Sequence, residues 1–274
     1  MSQPDRLRTG ELSVIGRVTT ASNVTLVCEI APPDLGEESA PLRVVYKPVR
    51  GERPLWDFPD GTLAGREVAS YLISEAIGWG VIPETILREG PYGPGMVQRW
   101  VESADHHTDV HPGHTPRLDL VDLCPPAAVP DGFREVLRAL DDTGEEVSLI
   151  HADDPRLHRV AVLDLILNNA DRKGGHALEG VDGQVYGVDH GICLHREHKL
   201  RTVLWGWAGA PIDTALVEDI TAFAQALSGP LADALAEHIT DTEIDALSER
   251  TRELLDDPVM PRPRTGRPIP WPAF

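Results

Sequence analysis

The chain has 274 residues, of which 41% are hydrophobic and 25% charged, a globular composition that argues against disordered, collagen-like and coiled-coil classes. Its 44 acidic and 25 basic residues give a formal net charge of −19, which repels phosphate backbones and anionic membrane surfaces. We therefore expect no nucleic acid partner and no stable membrane insertion. Because no apolar run is long enough to span a bilayer and the N-terminus lacks a secretory pattern, the sequence predicts a cytoplasmic protein.

Residues 1–102 are predicted to form a β-rich lobe. Alternating apolar positions, bounded by Pro, Gly, Asn or Ser, indicate strands at 12–18, 25–30 and 42–46, arranged as an antiparallel meander, with further strands at 85–87 and 96–101. Apolar residues at helical spacing predict a helix over 63–77 that ends at Gly78.

The Pro- and His-rich residues 103–132 are predicted to connect this lobe to a mainly helical lobe at 133–274, which ends in a Pro-rich tail. Its predicted elements are helices at 134–140, 155–167, 214–227, 231–239 and 242–255 and a strand at 185–188. The last helix is expected to start with a capping box from Thr242 to Asp245. Trp271 and Phe274 are expected either to pack the tail on the body or to leave it loose.

Three widely separated cysteines lack the CxxC spacing of metal and redox sites. Cys28, Cys124 and Cys193 are therefore predicted to be reduced and mostly buried, as free cysteines generally are.

Four charged residues, widely spaced along the chain, occur in an order that indicates a catalytic site. Lys47 lies in the strand VVYKP and Glu67 in the next helix, whereas Asp171 lies in NNADRKGGH and Asp189 in VYGVDHG. In kinases a strand lysine, held by a helix glutamate, binds the nucleotide phosphates, while one aspartate orients the acceptor hydroxyl and another binds the metal. The order, rather than any single motif, makes this pattern specific.

The chain has no GxGxxG loop, no HRD motif and no APE motif. It resembles instead the atypical branch that contains phosphatidylinositol 3-/4-kinases and HipA-type kinases. The segments GELSVIGRV, VYKPVRGERPLWDFPDGTL, NNADRKGGH, VYGVDHG and KLRTVLWGWAG resemble, over most of the chain, an actinobacterial phosphatidylinositol kinase-like family. This resemblance implies an α+β, two-lobed protein-kinase-like fold with a β-rich N-lobe, a mainly helical C-lobe and the site between them.

The same resemblance implies ATP-dependent transfer of a phosphate to a hydroxyl of a small molecule or a protein. Because the net charge is −19, membrane phosphoinositide is a less attractive acceptor than a small soluble alcohol or a protein side chain. Lys47 would contact the α/β-phosphates and Glu67 would hold Lys47. Asp171 would be the catalytic aspartate, with Arg172 beside it, and Asp189 would bind Mg²⁺.

Two further groups of residues are candidates for nucleotide contacts. Ser22 and Asn23 lie between the first two strands, where kinases close a loop over the phosphates; a plain turn is the alternative. Gln98 and Trp100 belong to the connection after the strand expected to border adenine, where the backbone could read the base edge, and Met96 could line the pocket. Ordinary core and surface positions of one strand are the alternative.

His176 departs from the lipid-kinase pattern, which has a metal-binding Asn at this position. An imidazole suits softer metals than Mg²⁺, so His176 either shifts the metal preference toward ions such as Mn²⁺, or leaves Asp189 as the sole ligand, or marks a protein that binds nucleotide without transfer. Weak catalysis is one of the expected outcomes.

Two other functions remain open from the sequence. A nucleotide-binding pseudokinase that serves as an interaction module fits His176 and the missing glycine loop. A metal-dependent phosphohydrolase would use mixed ligands, which would come from His151, His176, His190, His195, Asp153, Asp154, Asp164, Asp171 and Asp189. The four histidines of 105–114 indicate a solvated loop or adventitious metal binding.

Overall fold

The computed structural model describes residues 3–19, 21–32, 40–59, 61–103, 118–141, 143–264 and 266–274. The N-terminal lobe contains strands β1 (Leu12–Arg17), β2 (Leu26–Ile30), β3 (Leu42–Pro48), β4 (Thr85–Gly90) and β5 (Gly93–Arg99). They form one sheet in the order β1-β2-β3-β5-β4, in which every neighbouring pair is antiparallel. The first three strands form the predicted meander, and β5 then inserts between β3 and β4.

Two helices pack against this sheet. Helix α1 (Gln3–Thr9), which the sequence analysis missed, places Leu7 in the apolar cluster on one face. Helix α2 (Leu63–Ile77) has the predicted bounds and ends at Gly78, whose φ of 83° suits glycine. At its start, the backbone N–H groups of Leu63 and Ala64 donate to the Glu52 carboxylate at 3.1 and 2.8 Å, which fixes the first turn.

A second sheet corrects the prediction of a helix over 134–140. Strands β6 (Val121–Cys124), β7 (Phe133–Leu140) and β8 (Glu146–Ala152) are ordered β6-β8-β7. The Arg, Glu, Leu and Ala residues of β7 are good helix formers in isolation. The buried central strand β8 pairs on both sides, however, and this tertiary pairing outweighs local propensity.

Helix α3 (Pro155–Leu167) forms the centre of the main core and has the predicted bounds. Asp154 caps its start by accepting a hydrogen bond from the N–H of Arg156 at 2.7 Å. The helix ends at Asn168, which adopts a left-handed conformation with φ 52°. The Asn168 side chain donates to the carbonyl oxygens of His195 and Glu197, and these bonds offset the cost of that conformation.

The remaining elements are strands β9 (Ala177–Glu179) and β10 (Val185–Gly187) and helices α4 (Thr214–Ala226), α5 (Pro230–Ala236) and α6 (Asp241–Asp256). The capping box of α6 lies two residues earlier than predicted. It joins Thr240 to Glu243, whose longer side chain reaches back to the Thr240 N–H at 3.0 Å, a span that the shorter Asp245 cannot make.

The tail after α6 packs along the C-terminal lobe. The carbonyl oxygen of Pro268 accepts from the N–H of Thr202 and from Trp205 Nε1, and that of Ala273 accepts from the N–H of Gly174 at 2.8 Å. Of the two aromatic residues expected to hold the tail, Trp271 is 92% exposed, whereas the Phe274 ring lies over Gly174.

The fold is therefore α+β, with a β-rich N-terminal lobe and a C-terminal lobe whose core is mainly helical. The domain limits stay predictions, because much of the expected connection, including the histidine run 105–114, falls outside the described residues. The three cysteines are buried and free, as predicted. Within the described ranges, none of the helices has both the length and the apolarity that crossing a membrane demands.

Candidate active site

Lys47, Glu67 and Asp189 meet in the cleft between the lobes. Strand β3 supplies Lys47, α2 supplies Glu67, and the turn after β10 supplies Asp189. Lys47 Nζ lies 2.6 Å from Glu67 Oε1 and 2.6 Å from Asp189 Oδ1. The second carboxylate oxygen of Glu67 accepts from the N–H of His190 at 3.0 Å, so α2 is also tied to the Asp189 turn. Three residues that are far apart in the sequence are thus in direct contact.

The charges of this cluster stabilise one another. Burial opposes ionisation of Lys47, but the carboxylates of Asp189 and Glu67 outweigh it and raise the pKa of the lysine. For Asp189 the balance is similar: burial opposes ionisation, while Lys47 holds the carboxyl pKa well below its usual range. Burial raises the pKa of Glu67 despite its contact with Lys47.

His176 faces Asp189 in a way that favours a shared cation. His176 Nδ1 lies 3.1 Å from the carbonyl oxygen of Asp171, to which only a protonated Nδ1 can donate. In the neutral ring, Nε2 therefore carries a lone pair, and it lies 3.5 Å from Asp189 Oδ2. Burial lowers the pKa of His176 to about 4, so at neutral pH two electron-rich atoms face each other. A divalent cation between them fits this arrangement.

Asp171 opens onto the same cleft from the loop that follows α3. Its N–H donates to Asn169 Oδ1 at 2.9 Å, and its carboxylate lies 3.6 Å from Lys173 Nζ. Burial raises the pKa of Asp171 to about 6, partly offset by Lys173. The carboxylate is ionised at neutral pH and is more basic than an ordinary aspartate.

Ser22 and Asn23, from the β1–β2 loop, also line this cleft. Asn23 Oδ1 accepts from the N–H of Arg53 at 2.8 Å, which pins the loop to the segment after β3. The cleft is therefore walled by both lobes, and its chemically active lining is Ser22, Asn23, Lys47, Glu52, Glu67, Asp171, Lys173, His176 and Asp189. Glu52 and Lys173 were missed from sequence; the position of Lys173 two residues after Asp171 was the available signal.

The residues predicted to read adenine do not line this cleft. Met96 pairs with Lys47 in the sheet and is fully buried, and Gln98 Nε2 donates to Thr85 Oγ1 at 2.8 Å. The backbone N–H of Trp100 donates to the carbonyl oxygen of Arg43 at 3.1 Å, while its side chain lines a separate cavity of about 530 Å³. A role for these residues at the adenine edge therefore stays a prediction.

Arg172 corrects the prediction of a catalytic arginine. Its side chain is fully buried and points away from the cleft, where Nε and Nη2 lie 2.8 and 2.9 Å from the two carboxylate oxygens of Asp164. Nη1 donates to the carbonyl oxygens of His176 and Val188, and Nη2 lies 2.6 Å from His190 Nε2. Arg172 positions the two loops that carry Asp171 and Asp189 and touches no reacting group.

The histidines do not assemble the alternative metal site. Among the described residues, no three or more His, Cys, Asp or Glu side chains converge on a metal position. His151, for example, accepts from the N–H of Gly206 at 3.0 Å, packs on Trp207 and does not line the cleft. The phosphohydrolase reading therefore gains no support from the geometry.

A five-stranded antiparallel sheet whose third strand carries a lysine paired with a glutamate of the following helix defines a protein-kinase-like fold. The chain is 58% identical over 268 residues to protein Rv2133c of Mycobacterium tuberculosis, an alignment that covers 98% of this chain and 94% of that protein. It belongs to the family of that protein. No family model matches the chain.

Solved structures with a similar fold have low sequence identity to this chain. Hydra Fam20, solved with sugar, is 13% identical, with a TM-score of 0.48 over 92% of this chain and 86% of its own. The Helicobacter pylori proinflammatory kinase CtkA is 12% identical, with a TM-score of 0.39 over 93% of this chain and 94% of its own. Strand order and the Lys47–Glu67 pair define the fold independently of these similarities.

Proposed function

We propose that the protein is an ATP-dependent phosphotransferase of the phosphatidylinositol 3-/4-kinase-like type that acts on a hydroxyl of a small molecule or a protein. The observation that carries the proposal is that Lys47, held by Glu67, shares one cleft with Asp171 and Asp189. Phosphate binding, metal binding and hydroxyl activation each need one of these groups, within the reach of one nucleoside triphosphate.

In this proposal the N-terminal lobe binds the nucleotide phosphates. Lys47 now contacts two carboxylates, and a phosphate that replaces Asp189 on Lys47 would leave Glu67 to hold the lysine. Ser22 and Asn23 add hydroxyl and amide groups from the loop above. Phosphate oxygens are strong acceptors for such donors.

Asp189 and His176 would hold the divalent ion. A metal bound with ATP neutralises charge on the β- and γ-phosphate oxygens. One carboxylate oxygen and one imidazole nitrogen suit Mn²⁺ at least as well as Mg²⁺, which prefers oxygen ligands.

Asp171 would accept the hydrogen bond, and then the proton, of the attacking hydroxyl. Its raised pKa of about 6 makes the carboxylate a competent base at neutral pH. Lys173, 3.6 Å away, would offset the negative charge that gathers where the acceptor and the transferred phosphate meet.

Turnover of γ-labelled ATP tests this function directly. The assay uses Mg²⁺ and then Mn²⁺, with inositol-type alcohols, lipids and protein serines as acceptors. We expect Asp171→Asn to retain near-normal nucleotide affinity while transfer falls by about 10²–10⁴-fold, the usual loss of general-base assistance. Asp189→Ala should instead lose the metal-dependent part of nucleotide affinity.

Binding without transfer is the second candidate, and His176 at the metal position favours it. A wild-type protein that binds ATP but turns none over with either metal would establish the pseudokinase. Equal turnover by wild type and Asp171→Asn would remove Asp171 from the proposed role.

A further inference from the structure

A half-buried arginine outside the cleft has one buried donor that finds no hydrogen-bond partner in the described part of the chain. Arg250, on α6, donates from Nε to the carbonyl oxygen of Ile166 at 3.2 Å and from Nη1 to that of His195 at 3.3 Å. Its Nη2 is buried and has no hydrogen-bond partner among the described residues. Both acceptors are neutral, and the carboxylates of Glu243, Glu249 and Glu253 act on the guanidinium only through space. Burial lowers the pKa of Arg250 to about 10, which shows how poorly its charge is solvated.

This guanidinium borders a cavity of about 460 Å³ between α6, the end of α3 and the tail. Arg262 and Arg264 line the same cavity from the tail, and His198 lines it from the opposite loop. Burial lowers the pKa of His198, as do the nearby Arg264 and Arg250, whereas Glu253 raises it. The basic groups therefore lie close enough to repel one another.

Two acidic residues, Glu253 and Asp257, also line the cavity, yet neither hydrogen-bonds the free Nη2. The other walls are apolar and include Leu200, Trp205 and Met260. The volume lies within the range of small-molecule sites, about 300–1,000 Å³. Three arginines thus line one cavity in a protein of net charge −19.

We propose that this cavity binds a small organic anion, with its phosphate or carboxylate group on Arg250 and Arg264 and its apolar part against Trp205. A buried cation with an unmet donor is costly unless a ligand completes it. Because Nη2 has almost no accessible surface, a ligand oxygen reaches it only once the Arg250 side chain turns toward the cavity. A guanidinium fork reached in this way suits a planar or tetrahedral oxyanion. The proposal is independent of the function proposed for the cleft.

Titration calorimetry with three probes tests the site: inorganic phosphate, phenyl phosphate and benzoate. We expect phenyl phosphate or benzoate to bind more tightly than inorganic phosphate, and the stronger of the two identifies the charged group. Arg250→Gln should weaken that probe at least about tenfold, equivalent to one lost charged hydrogen bond. Arg252→Gln is the matched control, because Arg252 is exposed on the same helix and lines no part of the cavity.

Two further variants keep the test decisive. Arg264→Gln removes an exposed side chain, so it should preserve the fold and still weaken binding severalfold if Arg250→Gln proves unstable. Lys47→Ala should leave probe binding unchanged, which separates this cavity from the cleft. Absence of binding to wild type at about 10 mM of each probe, retention of binding in both Arg250→Gln and Arg264→Gln, or its loss in Lys47→Ala would overturn the proposal.

Discussion

Two charged clusters lie back to back in this protein and differ in what they face. The cleft cluster, Lys47, Glu67, Asp171 and Asp189, opens to solvent, and the Asp189 side chain is 46% exposed. The buried cluster, Asp164, Arg172 and His190, lies beneath it and is almost fully enclosed. One cluster can exchange its partners for a ligand, whereas the other has no room for one.

The difference is sharpest at two adjacent residues. Asp171 and Arg172 form one DR motif, yet the aspartate lines the cleft and the arginine turns into the core. The arginine is not redundant, because its Nη1 holds carbonyl oxygens on both loops of the cleft. A motif in sequence therefore contains one residue placed for chemistry and one that supports it.

The largest expected effect on the free energy of unfolding comes from breaking the buried cluster. Arg172→Leu leaves the Asp164 carboxylate buried without its partner, and we expect a loss of about 3–5 kcal/mol in the free energy of unfolding. Urea unfolding followed by circular dichroism measures this loss. Arg156→Leu, which breaks a partly exposed pair with Asp154 and Glu179, is the control and should cost about 1 kcal/mol or less. Equal losses for the two variants would contradict the comparison.

The next effect weakens the cleft cluster without unfolding the protein. Lys47→Ala should reduce Mg-ATP affinity by about 1–3 kcal/mol, or about 5–150-fold, because a charged hydrogen bond to phosphate is lost. Glu67→Ala should reduce the affinity less, since the lysine remains but loses the ion pair that positions it. Calorimetric titration gives both values. Lys199→Ala, which removes a lysine paired with Asp57 outside the cleft, should bind as wild type does. Unchanged affinity in Lys47→Ala would exclude Lys47 as a phosphate ligand.

A smaller effect concerns how ionised carboxylates contribute to the free energy of unfolding, and its sign differs between Asp171 and Asp153. Burial raises the folded-state pKa of Asp171 to about 6, so keeping it ionised costs stability that grows as pH rises above the unfolded value. Asp171→Asn should therefore stabilise the protein by about 1–2 kcal/mol at pH 8, and by less at pH 5.

Asp153→Asn is the matched variant, because we expect it to change the free energy of unfolding in the opposite direction. A hydrogen bond from Arg134 lowers the pKa of Asp153, so its ionised form contributes stability above the unfolded value that is lost as pH falls. This substitution should destabilise the protein at pH 8. Urea unfolding at both pH values compares the two variants, and a stability change of the same sign in both would refute the assignment for Asp171.

The smallest effect concerns His176. His176→Asn replaces an imidazole nitrogen by an amide oxygen, and we expect a few-fold shift in metal preference from Mn²⁺ toward Mg²⁺ with activity retained. The ratio of turnover with the two metals measures it. His176→Ala, which supplies no ligand, should lower activity with both. If neither variant changes the ratio or the activity, His176 is structural and Asp189 binds the metal alone.

Sequence reasoning identified the cleft cluster from the order of its four members along the chain, two on regular elements and two in loops. Strand alternation placed Lys47, helical spacing placed Glu67, and turn residues marked the loops of Asp171 and Asp189. Helices α2 and α3 were bounded correctly because Gly78 and Asn168 end them in left-handed conformations.

Other features depend on packing that local patterns do not encode. The direction of Arg172 depends on Asp164, a charge on the apolar face of α3 that was a signal for a buried partner. Strand β7 was mistaken for a helix because its residues favour helix locally and its pairing partner β8 had not been recognised. The adenine-side prediction at Met96, Gln98 and Trp100 stays a prediction: none of the three lines the cleft, and alternation alone does not reveal that β5 inserts between β3 and β4.

The contact between the tail and Gly174 has a consequence for tolerance to substitution. Pro268 and Ala273 hold the body through carbonyl oxygens, which every amino acid has. Gly174 meets the Phe274 ring so closely that an added Cβ would lie 2.6 Å from a ring carbon. A saturation library should therefore tolerate more residues at Ala273, whose side chain is only partly buried against the core, than at Gly174, where any side chain must displace the Phe274 ring.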